Sequence, residues 1–248
     1  MRWLLILFLL PCRSLGQDVS VLMAKAAQLE AAFKEEKALP VYQQVLQLQP
    51  RNIPALCRCS DLNCRIGNRE ADQGKKIDYF KAGYRYAQSA YRLDSTNSEV
   101  NVVIAFSLAR MALIQSGKEK VAAANEIKRF AEQAIRYDPT NFKAYHILGR
   151  WNYEVSNLNF IERTLARWFF GALPQASLAE AIRNYEKSRS LRPDFMLNYF
   201  ELARAYRREG KKDKAIALLR HMETLRDGMY DDRMVRKEGR QLLEELTR

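Results

Sequence analysis

The sequence is poor in the residues that break regular structure, with 10 glycines and 7 prolines in 248 residues, and it has only 4 cysteines and 2 histidines. Such a chain, 48% hydrophobic, is neither disordered nor collagen-like nor a disulfide scaffold, because it can bury a core without cross-links. There is no phosphate-binding loop, no G-x-S-x-G, no H-E-x-x-H and no zinc spacing among the cysteines, so the chemistry that those patterns carry has no support. No block of five or six like charges occurs, so the basic excess is spread over folded elements and forms no tail. Strand-like alternation is absent as well, which leaves helices.

The first residues read as a targeting segment. Arg2 supplies the positive start, Trp3 to Leu10 is an unbroken apolar run, and Ser14-Leu15-Gly16 puts small residues where a signal peptidase cuts. The run is far short of the roughly 20 residues that a spanning helix needs. Cleavage after Gly16 is therefore expected, leaving residues 17–248 as one domain that is exported to a periplasm or secreted. Pro11 before Cys12 does not suit lipoprotein processing. Removal takes two arginines from the 41 basic residues and lowers the formal charge from +12 to +10. That charge favours anionic partners, and for an exported chain nucleic acid is not among those expected.

The helices repeat. Asn198 to Met222 places Tyr199, Leu202, Ala203 and Tyr206 on one helical face, turns at Gly210, and continues with Ala215, Leu219 and Met222. This pattern resembles the tetratricopeptide repeat of about 34 residues, in which small side chains let two antiparallel helices cross closely. Upstream, Ala38, Tyr42, Val45 and Leu48 with Pro50, then Ala87, Ala90 and Leu93 with Ser95, then Ala131, Ala134 and Tyr137 with Pro139, and Ala181, Tyr185, Ser188 and Leu191 with Pro193 close four further units. The reading is an all-α, tetratricopeptide-like right-handed solenoid of about five helical hairpins. The units exceed the usual length, and the surplus is expected in extended inter-helix turns near 68–78, 116–122 and 155–177. Asp231 to Leu246 is expected to be a C-terminal capping helix.

Gly149 and Trp151, the aromatic stretch from Trp168 to Pro174, and the closure Pro193 to Phe195 resemble the regulator of microtubule dynamics family. The resemblance implies a tetratricopeptide-like domain. Animal members are attached to microtubules or organelle membranes, whereas this chain begins with an export segment, so microtubules are not the expected partner.

Candidates for chemistry are few. Cys57, Cys59 and Cys64 share one predicted helix, where Cys57 and Cys64 lie about 10 Å apart and Cys59 faces elsewhere, so none can bridge another. They are expected to be packing thiols, with no metal and no cofactor. The neighbouring carboxylates Glu35-Glu36 and Asp231-Asp232 diverge around a helix and cannot act as an acid/base pair. The chain is accordingly expected not to be an enzyme.

In stacked hairpins the first helices line the concave surface. Lys143, His146, Arg150 and Tyr153, then Leu197, Phe200, Arg204, Arg207 and Arg208, occupy spacings that avoid the packing positions, with Arg65 and Arg110 in comparable places. A basic, aromatic groove of this kind suits a protein or acidic peptide partner. The alternative is a carrier of a lipid or other amphiphilic anion. It draws on Ile161, Leu165, Trp168 and Phe169, which form an apolar face at helical spacing.

Overall fold

The structure, a computed structural model, describes residues 15–158 and 175–248. The regular elements over those residues are helices: α1 (Leu15–Ala31), α2 (Glu35–Leu48), α3 (Ile53–Arg69), α4 (Gln73–Leu93), α5 (Ser98–Met111), α6 (Gly117–Tyr137), α7 (Phe142–Ser156), α8 (Leu178–Leu191), α9 (Met196–Arg208), α10 (Lys212–Thr224) and α11 (Asp232–Thr247). They pack as successive pairs, α1 with α2 through α9 with α10, and α11 closes on α9 and α10. These are the five hairpins and the cap read from the sequence. Pro50, Ser95, Pro139 and Pro193 each stand two residues past the end of a second helix.

The junctions between hairpins are built from a recurring local code. Asp94 accepts hydrogen bonds from the backbone and hydroxyl of Thr96, and Asp138 does the same for Thr140. The next residue is an asparagine that caps the following helix: Asn97 accepts from the Val100 amide and Asn141 from that of Lys143. Asn52 caps α3 in the same way. Such caps satisfy amides that a helix start leaves without partners, each for about 1 kcal/mol. At the last junction Phe195 stands in the capping position and supplies no side-chain bond. Its ring instead meets Phe142 at 5.2 Å and His146 at 4.9 Å, edge-on.

Ala203 and Ala215 are fully buried, as a close crossing of α9 and α10 requires, and Leu202, Leu219 and Met222 fill the space around them. Burying side chains of this size contributes roughly 1.5–3 kcal/mol each. Gly210, at φ +81°, ends α9 in the left-handed conformation that glycine adopts without strain. Val235 and Leu242 of α11 cover the last hairpin.

The surplus length differs from expectation. Only three residues separate α3 from α4, and the extra residues instead lengthen α4 and α6, each 21 residues long. Stretches 68–78 and 116–122 are thus largely helix, because their capping residues, Asp72 and Ser116, sit inside them and start the second helices early. The third surplus, like the targeting segment, falls mostly outside the described residues.

Candidate binding face on the first helices

The first helices α3, α5, α7 and α9 lie side by side. The row curves until the segment after α10 returns to α3: Arg69 Nη1 meets Asp231 Oδ1 at 3.0 Å across 162 residues of sequence, and the Arg69 guanidinium lies 4.2 Å from the centroid of the Tyr230 ring. The arm that carries Tyr230 and Asp231 is rigidly built. Asp232, buried, accepts from the Gly228 and Met229 amides at 2.7 and 2.8 Å. Arg236 donates to the carbonyls of Met222, Glu223 and Leu225 and pairs with Asp227 at 2.6 Å.

At this closure a buried carboxylate organises two helices. Glu35, 1% exposed, takes the guanidinium of Arg65 and, at 2.7 Å, that of Arg69. Arg65 also reaches Asp61 at 3.5 Å, one helical turn away. A second buried carboxylate, Glu201 at 3% exposure, holds Arg204 at 2.9 Å and Arg150 at 3.4 Å. Buried carboxylates need such partners, since unpaired charge in the interior is costly. Glu35 entered the sequence reading only as half of an adjacent acid pair, and Glu201 not at all, although a lone acid at a core register on an otherwise basic face is a readable sign.

Arg150, Tyr153, Phe200, Arg204 and Arg208 are indeed brought together on α7 and α9. Arg204 and Arg208 flank the Tyr153 ring at 5.2 and 5.3 Å, and Arg204 also faces Phe200 at 5.9 Å. Arg208 donates to the carbonyls of Tyr153 and Ser156, closing the end of α7 where a cation suits the helix dipole. Lys143 is paired with Glu99 at 2.6 Å, and Arg207 points away to Glu245 on α11 at 3.1 Å. Leu197 packs against the core of the last two hairpins.

Two expected groove residues face inward. His146 and Tyr153 are both 7% exposed, because α8 and α9 together cover the face of α7 that carries them: Tyr185, Phe195 and Asn198 enclose His146, and Arg204 and Arg208 lie against Tyr153. Asn198 donates through its amide nitrogen to the Tyr185 carbonyl at 2.9 Å, so its Oδ1 accepts from His146 Nδ1 at 3.0 Å, which places the imidazole proton there. His146 is a packing and hydrogen-bonding residue between hairpins. Ile161, Leu165, Trp168 and Phe169, the basis of the amphiphile alternative, lie outside the described residues.

Burial pushes the His146 imidazole down to about 4 from its ordinary 6.5. Asn198 and Glu201 oppose the shift and Arg150 adds to it. Between those values the unfolded chain binds more protons than the folded one, so stability rises with pH across this window and is lost as pH falls from about 6.5 towards 4. The expected loss is about 3 kcal/mol. Denaturant midpoints measured across that window should follow this slope in the wild type and flatten in His146→Gln, which keeps a donor for Asn198.

Cys57, Cys59 and Cys64 are buried and unbridged, and burial pushes each thiol up to about 12, which leaves them protonated and poor nucleophiles at neutral pH. His221 stacks on Tyr199 at 5.0 Å on the outer side, without a catalytic partner among the described residues.

Paired helices with small residues at the crossings, stacked in register and sharing a row of first helices, define a helical-repeat protein of the tetratricopeptide type. A solved tetratricopeptide protein from Thermus thermophilus has the same fold, with a TM-score of 0.68 and 12% identity over 90% of this chain and 99% of that one. The chain belongs to the regulator of microtubule dynamics family: the profile described as "Regulator of microtubule dynamics protein 1-3" matches residues 22–247. Regulator of microtubule dynamics protein 3 of Mus musculus is 24% identical over 239 residues, 93% of this chain and 49% of its own length. Protein 1 of the same organism is 24% identical over 230 residues, 91% of this chain and 74% of its own length. The Xenopus laevis protein 3 is 29% identical over 124 residues, 50% of this chain and 27% of that one. The chain thus spans about half the length of the mouse protein 3, and less of the frog one.

Proposed function

We propose that this chain is a non-catalytic, exported scaffold that holds a protein partner by an acidic, aromatic-containing segment laid along its first helices. The observation that carries this reading is the chain's own use of that face. Tyr230 and Asp231 are held on Arg69 by a ring contact and an ion pair, which is the combination that a groove of arginine and aromatic side chains offers to an acidic peptide. The tetratricopeptide-type fold supports protein binding in general. Cleavage after Gly16 is compatible with it, since it leaves Val19 and Ala26, buried residues of α1, in the chain. The relatives' names concern microtubule dynamics.

The test is a titration of the full chain into a labelled ten-residue peptide of Asp, Glu and Tyr, acetylated and amidated, beside a peptide in which Lys replaces the acids. Saturable binding of the acidic peptide alone is expected. It should weaken steeply as salt approaches 1 M, where the screening length falls to about 3 Å. Equal binding of both peptides, or none of the acidic one, would remove the reading.

A further inference from the structure

The arginines of the first-helix face are nearly all spoken for. Arg65 and Arg69 share Glu35, Arg150 and Arg204 share Glu201, and Arg208 is taken up by the carbonyls at the end of α7. Arg110 of α5 stands apart. Among the described residues no carboxylate lies within ion-pair distance of it. Its one hydrogen bond runs from Nη1 to Asn68 Oδ1 at 3.0 Å, and its Nε, fully buried, has no acceptor. The Phe106 ring, 4.9 Å from the guanidinium, fixes its plane.

The surroundings make this arrangement costly. Burial first, and then the nearby positive charge of Arg150, push the guanidinium down to about 10. A crowded cation beside a second cation, with one donor unmatched, destabilises the fold unless something else gains by it. Yet the residue is not sealed, since part of its surface still meets solvent. Its hydrogen-bond partner Asn68 directly precedes Arg69, where the chain's own Asp231 is already bound. Arg150, with 45% of its side chain exposed, supplies a second positive group on the next first helix.

We propose that Arg110, flanked by Asn68 and Arg150, is an anion-receiving site in the groove that takes a carboxylate of a bound acidic segment, next to the position that Asp231 fills. The proposal rests on the peptide-binding reading above and names the anchoring residue. A carboxylate there would meet the part of Arg110 that still faces solvent and offset the charge of a guanidinium that has no carboxylate of its own among the described residues. Charge-assisted bonds of this kind are among the stronger ones available to a protein.

The experiment uses the full chain and three probes: the amidated Asp/Glu/Tyr peptide, a peptide without acidic side chains but with a free C-terminal carboxylate, and glutarate. Arg110→Gln is expected to weaken the acidic peptide at least about tenfold. It should leave the melting temperature of the free protein unchanged or higher, because it removes an unmatched cation. In the wild type, the Arg110 Nε–H resonance, assigned by its disappearance in R110Q, should shift on addition of glutarate and on saturation with peptide. Stronger binding of the amidated acidic peptide assigns a side-chain carboxylate, and stronger binding of the free-acid peptide a chain terminus; either supports the site. Binding by R110Q within twofold of wild type, a lowered melting temperature of free R110Q, or an Nε–H resonance that no probe moves would overturn it. If R110Q keeps the peptide, only this site falls. If wild type binds no peptide while glutarate still moves the resonance, the anion site stands and the peptide-scaffold reading fails.

Discussion

Replacing Trp151 with alanine is expected to lower the stability of the third and fourth hairpins by about 3–5 kcal/mol, the usual range for emptying a large aromatic site. The indole is 5% exposed and packs in the cluster that contains Val103, Ile127 and Phe130, so its removal leaves a cavity at the junction of α5, α6 and α7. It also deletes the bond from Nε1 to the Ala124 carbonyl, 2.7 Å long, which fastens α7 to α6. The contact fixes the neighbouring glycine too. A side chain at Gly149 would meet the Tyr185 ring at 2.8 Å, so the glycine lets α8 close onto α7 while the tryptophan two positions on secures α7 to the preceding unit. Trp151→Phe keeps much of the apolar volume and loses the hydrogen bond, so it should recover more than half of the loss. In a stacked array the damage should be local. Amide exchange should quicken in α6 and α7 before it does in α10 and α11, and a uniform change across all hairpins would contradict this assignment.

Trp151 belongs to the part of the molecule that was legible as sequence. The 3.6-residue period, the small residues at Ala203 and Ala215, and the closures at Pro50, Pro139 and Pro193 are local features, and a repeat fold is built from local features plus nearest neighbours. Binding-face residues are different in kind. Arg65, Arg110, Arg150 and Arg204 were readable as residues of the first helices, because helix periodicity determines which side they leave from. What they meet there was not readable. Glu35 and Arg69 are 34 residues apart and meet through the packing of α2 on α3, while Arg69 and Asp231 are 162 apart, so that encounter depends on how far the array curves, the accumulated result of every hairpin crossing. His146 shows a related error of register. Residues 146, 149 and 153 share one row of α7, and that row is covered by Tyr185 of α8 together with residues of α9, so it belongs to the interior and not to the groove.

The curvature also lets Arg69 reach across 162 residues of sequence, and Arg69→Ala is expected to cost about 3 kcal/mol. Removing one partner of a buried ion pair is expensive chiefly because the other charge stays behind. Glu35, almost fully enclosed, would retain Arg65 but lose the 2.7 Å bond to Arg69. The same substitution frees Asp231 and uncovers the face of Tyr230, so the arm between α10 and α11 loses its hold on the first hairpins. Arg69→Lys should recover little of this, since one ammonium cannot serve Glu35, Glu36 and Asp231 while lying flat on an aromatic ring. Asp231→Asn separates the two contributions: it opens the closure yet leaves Glu35 paired, and should cost under about 1 kcal/mol, as a partly exposed pair does. Denaturant midpoints give the energies, and amide exchange at residues 226–232 reports release of the arm. Two results would sink the account: a loss below about 1 kcal/mol in Arg69→Ala, or exchange in the arm that is no faster than in wild type. If Asp231→Asn releases the arm, the acidic peptide should bind that variant more tightly than wild type, because Asp231 then no longer competes for Arg69, whereas Arg69→Ala, which lacks the cation, should show no such gain.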